Sequence, residues 1–348
     1  MGRTARQLAA GIRLMALIMA LGLWCAAPAG AAETGNDGRP WLFSAQPFGF
    51  LTMPELVKPA PPDKNLFLKL TAGYQYDTNV ILNAEGSPIP PDIGKKEDSR
   101  FALNLAGTWL PIRGARGEVA LNYAFFQSQH AQLDDFNLTQ NMAELAGRYL
   151  VDDRISLRLS TVFQHLMLGS KLFDYAIMTG PSVIVTEGAG LNTVVDLRYR
   201  STDYENVAIF KSNEIRSGSN YLGAITQSIA LSPAMLVRLG YAGDVDSTRS
   251  PLWDGVGHKV SLEGSFILPY DSLLDIYGEY YRKDYDGTYA SIGDRRHDRA
   301  WSTVVTATTY FEERYGVSLR TVYTRNISNV QAFDISRVIP SLLFDVRF

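Results

Sequence analysis

Four histidines, His130, His165, His258 and His297, are the side chains best suited to move a proton or hold a metal near neutral pH. None has a second ligand-type residue at helical or hairpin metal spacing. His165 continues an apolar alternating series through Leu157, Leu159, Thr161 and Phe163. His130 and His297 fall in or beside loop-like stretches, and His258 begins a strand-like one. A Ser–His or Asp–His arrangement near a rim stays open as an enzymatic reading, and calcium binding by acidic loops stays open as a metal reading. Asp134-Asp135, Asp152-Asp153 and Arg295-Arg296 read as solvated turn charges. No phosphate loop or dinucleotide fingerprint occurs, so no cofactor and no enzyme activity are expected. A formal charge of −3 argues against a nucleic-acid partner.

The charges that do form a pattern are Lys69, Glu118, Glu144, Arg158, Asp196, Arg198, Arg200, Arg238, Glu263, Glu279 and Arg320, with Arg148, Lys259, Asp345 and Arg347 beside them. Each sits one residue away from an apolar side chain in a segment that alternates at period two. Such segments put one face against apolar surroundings and the other against water. The chemistry this offers is a wall of mixed sign, in which acids and bases pair across neighbouring strands, rather than a ring of one sign that selects ions.

The positioning elements are strands. Alternation begins at Leu66 and persists to Phe348, over about 14 segments of mostly 10 to 14 residues. A tilted strand needs about 9–11 residues to cross a bilayer, whereas strands of globular proteins centre on about 5–6. Connections alternate in length. Tight turns are predicted at 112–116, 151–153, 187–190, 232–234, 270–272 and 312–314, and long loops at 80–98, 168–177, 203–218, 246–255, 286–297 and 327–336. The expected fold is an all-β, transmembrane antiparallel barrel of the outer-membrane type, because in lipid only a closed sheet satisfies its own backbone. A charge on the lipid face costs about 2–4 kcal/mol for Arg or Lys, so the patterned charges are expected in the lumen. Aromatics near strand ends, including Trp109, Tyr149, Tyr270, Tyr76, Tyr199, Tyr204 and Trp301, are expected to form two girdles.

Residues 1–31 carry Arg3, Arg6 and Arg13 before an apolar run and a small-residue cleavage site at Ala29-Gly30-Ala31, the pattern of a signal peptide. The single cysteine, Cys25, lies within it, so no disulfide is expected after export. Residues 32–65 form a Pro-rich segment that nevertheless holds Trp41, Phe43, Phe48 and Phe50. It is expected in the periplasm, as a loosely packed tail, a plug or a docking segment. Residues 66–348 are the predicted barrel. An even strand count puts both termini on the short-turn side, expected to be the periplasmic side of a Gram-negative outer membrane. In the last strand Phe344, Val346 and Phe348 share the apolar face, and Leu343 is apolar among Ser341, Asp345 and Arg347 on the other. An aromatic final residue resembles the C-terminal signal read by the barrel-insertion machinery, which makes that machinery and outer-membrane lipid the expected partners.

The first strand reads LTAGYQYDTNVILN. Gly73, Tyr74, Tyr76, Asp77 and Asn79 resemble the opening stretch of the barrel domain in the surface lipoprotein assembly modifier family, and the strand count, the barrel size and the aromatic end are also similar. The resemblance covers 66–348, and the tetratricopeptide-repeat domain that precedes such barrels has no counterpart in 32–65. It implies an outer-membrane translocation component, with a periplasmic repeat protein or an exported lipoprotein as partner, and no catalytic residues. The polar lumen alone supports a general diffusion porin instead. The aromatic N-terminal stretch supports an anchor for a periplasmic or surface complex.

Overall fold

The computed structural model describes residues 65–348 apart from 92, 189, 208, 209 and 313. The predicted signal peptide and all but the last residue of the Pro-rich segment therefore lie outside the described residues. Fourteen strands follow in chain order: β1 (Leu66–Asp77), β2 (Asp98–Arg113), β3 (Gly117–His130), β4 (Leu138–Leu150), β5 (Ile155–Leu168), β6 (Lys171–Gly188), β7 (Leu191–Tyr204), β8 (Gly218–Ser232), β9 (Met235–Thr248), β10 (Gly255–Leu268), β11 (Ser272–Tyr289), β12 (Asp294–Phe311), β13 (Tyr315–Ser328) and β14 (Ile335–Arg347). Each is antiparallel to its chain neighbours, and β14 pairs back onto β1 to close the barrel. Every strand thus has a partner on both edges, which is what a bilayer demands of a sheet.

Alternation decides the faces. On β5, Leu157, Leu159 and Phe163 are exposed while Ser156 and Gln164 between them are buried. On β14, Leu342 and Phe344 are exposed while Ser341, Leu343 and Asp345 are buried. The outer surface is an apolar belt, on which the rings of Tyr199–Tyr221 and Tyr280–Trp301 pack across strands at a tilt of 51°, with 5.2 Å between centroids. Tyr204 departs from its expected place in the girdle. It follows Arg198, Arg200 and Thr202 on the inner face of β7 and lines the interior.

Two of the predicted long loops are mostly strand. β6 starts at Lys171, joined to β5 by the two-residue turn Gly169-Ser170, both at positive φ (54° and 64°). That left-handed pair is the geometry a tight hairpin needs. β11 and β12 likewise run on to Tyr289 and Asp294. In both hairpins a bulge interrupts the register, between Leu166 and Met167 on β5 opposite β6, and between Asp284 and Thr288 on β11. On β6 the one extra residue, Phe173, shifts the period-two pattern by one, whereas the two extra residues on β11 leave it in phase.

The β1–β14 seam holds the motif that opens the first strand. A Cβ at Gly73 would stand 2.1 Å from Leu342 O and 2.8 Å from Leu343 Cα, so only glycine fits there. Leu343 turns inward against this gap, which accounts for an apolar residue on the inner face of β14. Tyr74 and Tyr76 point outward. Asp77, fully buried, accepts from Arg337 of β14, whose Nε lies 2.9 and 3.1 Å from its two oxygens, and Arg100 of β2 stands 3.7 Å away. Asn79 continues the clasp: its amide donates to Ser336 O and Asn83 O, each at 2.9 Å.

Candidate functional site: the lumen

Inward-facing side chains of every strand from β2 to β14 enclose a cavity of about 570 Å³. Among the predicted lumen charges, Arg198, Arg200, Glu263, Glu279 and Arg320 line it. Lys69, Glu118, Glu144, Arg158, Asp196 and Arg238 stand on the same inner face outside it. Most are matched across strands: Lys69 with Asp345 at 3.6 Å, Glu118 with Arg148 at 3.8 Å, Glu144 with Arg158 at 2.5 Å and Lys259 with Glu279 at 3.6 Å. Arg238 pairs with Glu263, and Asp196 pairs with Arg198 of its own strand at 3.7 Å. Register explains the matching, because Glu144 lies opposite Val162 and Arg158 opposite Arg148, so the acid and base meet on a diagonal. Neutral donors complete the network: Asn122 donates to Glu144 at 2.8 Å and Tyr277 to Glu279 at 2.5 Å.

The long-loop end is built differently. Loops fold inward and bury apolar side chains in two clusters: Val80, Ile81, Leu133 and Phe136 in one, and Leu138, Leu166, Leu168, Phe173, Val207 and Phe210 in the other. Asp98 pins two loops together. It accepts the backbone N–H of Gln132 and Leu133 at 2.7 and 2.8 Å and the Lys95 ammonium at 3.0 Å.

Arg296 organises the opposite side of this end. Read from sequence as a solvated turn charge, it is instead buried, while its neighbour Arg295 is exposed. The extension of β12 carries it inward. Its Nε lies 3.0 Å from both oxygens of Asp298, and it donates to the Tyr285 hydroxyl at 2.9 Å and the Tyr289 hydroxyl at 3.3 Å. Its guanidinium carbon stands 3.4 Å from the ring centroid of Phe333, 4.1 Å from that of Tyr285 and 5.2 Å from that of Trp253. Trp253 comes from the β9–β10 loop and Phe333 from the one-turn 3₁₀ segment Gln331–Phe333, so one cation gathers two loops. Arg216, in the 3₁₀ segment Asn213–Arg216, adds a third by stacking on Trp253 at 4.8 Å and on Tyr204 at 4.5 Å.

Lumen residues that sequence reasoning missed include Arg100, Asp174, Arg216, Asp244, Asp246, Lys283, Arg296, Asp298 and Arg337. Several fall where bulges and loops break alternation. For the others, on regular strands, alternation was the usable signal. The histidines do not converge. His130 faces the cavity with both ring nitrogens buried and unbonded, and His258 meets Tyr241 at 2.9 Å on the outer face. His297 meets Asp284 at 2.7 Å at the exposed rim. Among the described residues no group of three His, Cys, Asp or Glu side chains is placed to hold a metal. The acidic pairs Asp134-Asp135 and Asp152-Asp153 are exposed in turns. Phe344 and Phe348 are exposed on the outer face, and the Phe348 N–H donates to Leu68 O across the seam at 3.0 Å.

The sequence matches no protein-family model and no curated relative. Solved structures similar to the chain include outer-membrane channels. One from Pseudomonas putida F1 is 12% identical, with 84% of this chain and 100% of that one covered and a TM-score of 0.46. The CymD monoaromatic hydrocarbon channel is 10% identical (82% and 89% covered, TM-score 0.46), and OccAB3 of Acinetobacter baumannii is 10% identical (82% and 99%, TM-score 0.45). The strand pairing, rather than these similarities, establishes that the chain is a closed outer-membrane-type barrel of fourteen strands.

Proposed function

We propose that this protein is an outer-membrane channel for small solutes. One observation carries the reading: a closed wall encloses a cavity of about 570 Å³ lined by apolar side chains together with many charged and polar ones, within the range of about 300–1,000 Å³ that holds small molecules. A barrel that served only as an anchor would have no need to keep such an interior polar. The lipoprotein-translocation role implied by the opening motif draws less support, because Gly73, Asp77 and Asn79 are all engaged in joining β1 to β14. β1 begins and β14 ends at the short-turn rim. We place that rim in the periplasm, with Phe344, Val346 and Phe348 presented to the insertion machinery and to lipid. Purified barrel reconstituted in planar bilayers should give discrete single-channel steps. Silent bilayers despite verified insertion would overturn the channel reading.

A further inference from the structure

The cavity is two-sided. On the strands β4 to β6 its wall is mainly apolar, with Met142, Leu166 and Met178 facing in beside the polar Gln140, Gln164 and Asp174. On β7 and beyond it is charged, and its cations differ in how they are paired. Arg198, Lys259, Lys283, Arg296 and Arg337 each have a carboxylate within 4 Å. Arg200 and Arg216 do not. Arg216 is committed to Asn213, to which it donates at 2.9 Å, and to the Tyr204 and Trp253 rings. Arg200 has no carboxylate within ion-pair distance, Asp174 acting on it only from farther off, and its Nε is buried without a hydrogen-bond partner.

The surroundings of Arg200 leave it in that state. Its cross-strand neighbours are Met178 on β6 and Asn220 on β8. The Asn220 amide donates away from it, to Asp246 at 2.7 Å and Asp244 at 3.3 Å. Those two acids share Lys283, and the Tyr281 hydroxyl donates to Asp244 at 3.0 Å. Asp174, which also lines the cavity, accepts from the Gln164 amide at 2.9 Å. A buried guanidinium N–H left unbonded is costly, and a carboxylate is the partner whose geometry it matches. We infer that Arg200 and the apolar wall beside it form a binding site for a small organic anion: a carboxylate held by Arg200, on an apolar body lying against Met142, Leu166 and Met178. This rests on the channel reading and specifies its solute class.

Three probes separate the parts of the site: benzoate, acetate, which lacks the apolar body, and benzylammonium, which keeps the body and reverses the charge. Calorimetric titration of the full barrel in detergent micelles at pH 8 reads binding independently of conduction. Benzoate should bind, acetate at least about tenfold more weakly, and benzylammonium not at all. Arg200→Gln should lower benzoate affinity about tenfold or more. Arg200→Lys, which keeps the charge but not the fork, should fall between. Met178→Asn should bring benzoate down toward acetate. Heat-modifiable gel mobility reports that each variant is folded. Equal binding of benzoate and benzylammonium, or unchanged benzoate affinity in folded Arg200→Gln, would overturn the site. Benzoate binding in a barrel that passes no current would leave the site standing and remove the channel.

Discussion

Two buried arginine–carboxylate pairs, alike in chemistry, do different work in this barrel. Arg337–Asp77 joins residues 260 positions apart, on the last and first strands, and draws in Arg100 from β2. Arg296–Asp298 joins residues two positions apart on one strand and so closes nothing. What it does is hold a guanidinium flat, so that Phe333, Tyr285 and Trp253 can pack on it. A buried pair contributes little net energy by itself once desolvation is counted. Its consequence depends on what it connects. The first pair is part of the wall, and the second is the base of a loop platform over the lumen.

If the seam is as intolerant as its spacing indicates, the largest effect belongs to Gly73→Ala. The added Cβ would meet the backbone of β14, which cannot rotate away as a side chain could. Little or no heat-modifiable folded barrel should be recovered in the outer membrane. Wild-type yield would show that β14 can retreat from β1 and that the seam is not a fixed part of the wall.

Asp77→Ala comes next. It leaves Arg337 and Arg100 as buried cations facing one another without their shared acid. Removing one partner of a buried pair costs about 3–5 kcal/mol. Urea unfolding of the barrel in lipid vesicles should show a loss of that order, with the slope unchanged. A loss under about 1 kcal/mol would place this pair with exposed ion pairs, which contribute little.

The contrast between the two pairs also marks what the sequence could reveal. Period-two alternation is a local signal, so it exposed nearly every strand, the outer apolar belt and charges such as Glu144 and Arg158 on regular stretches. It failed at 171–177, where the bulge at Phe173 shifts the pattern by one residue, and at 286–297, where two extra residues on β11 and the Asp-, Gly- and Arg-rich hairpin end read as a loop. Arg296, in phase with Asp298 and Ala300 on the inner face of β12, was lost with that second interval. Asp77 was visible as part of a motif, but its partner Arg337 lies 260 residues away and nothing local points to it. Arg200 was legible as a lumen charge. That no carboxylate comes within ion-pair distance of it is a property of the assembled wall.

Arg296→Ala should spare the wall and release the platform. Asp298 loses its cation, and two loops lose their shared stacking surface. Hydrogen exchange at residues 249–254 and 329–334 should quicken by about tenfold or more, given cation–π contacts of about 0.5–2 kcal/mol each. Exchange along β1 and β14 should stay at the wild-type rate. Faster exchange at the seam as well would mean that the two pairs are parts of one network.

Arg296→Lys divides the second pair's work into its two components and has the smallest effect. An ammonium can still reach Asp298, so the acid keeps a counter-charge. It cannot lie as a plane between Phe333 and Tyr285, and its donors no longer match the carboxylate as a fork while also reaching the hydroxyls of Tyr285 and Tyr289. If flatness is what gathers the loops, exchange at 249–254 and 329–334 should rise by about half as much, on a logarithmic scale, as in Arg296→Ala. If charge alone mattered, lysine would restore wild-type protection, and the platform would then be held as the seam is, by ion pairing and not by stacking.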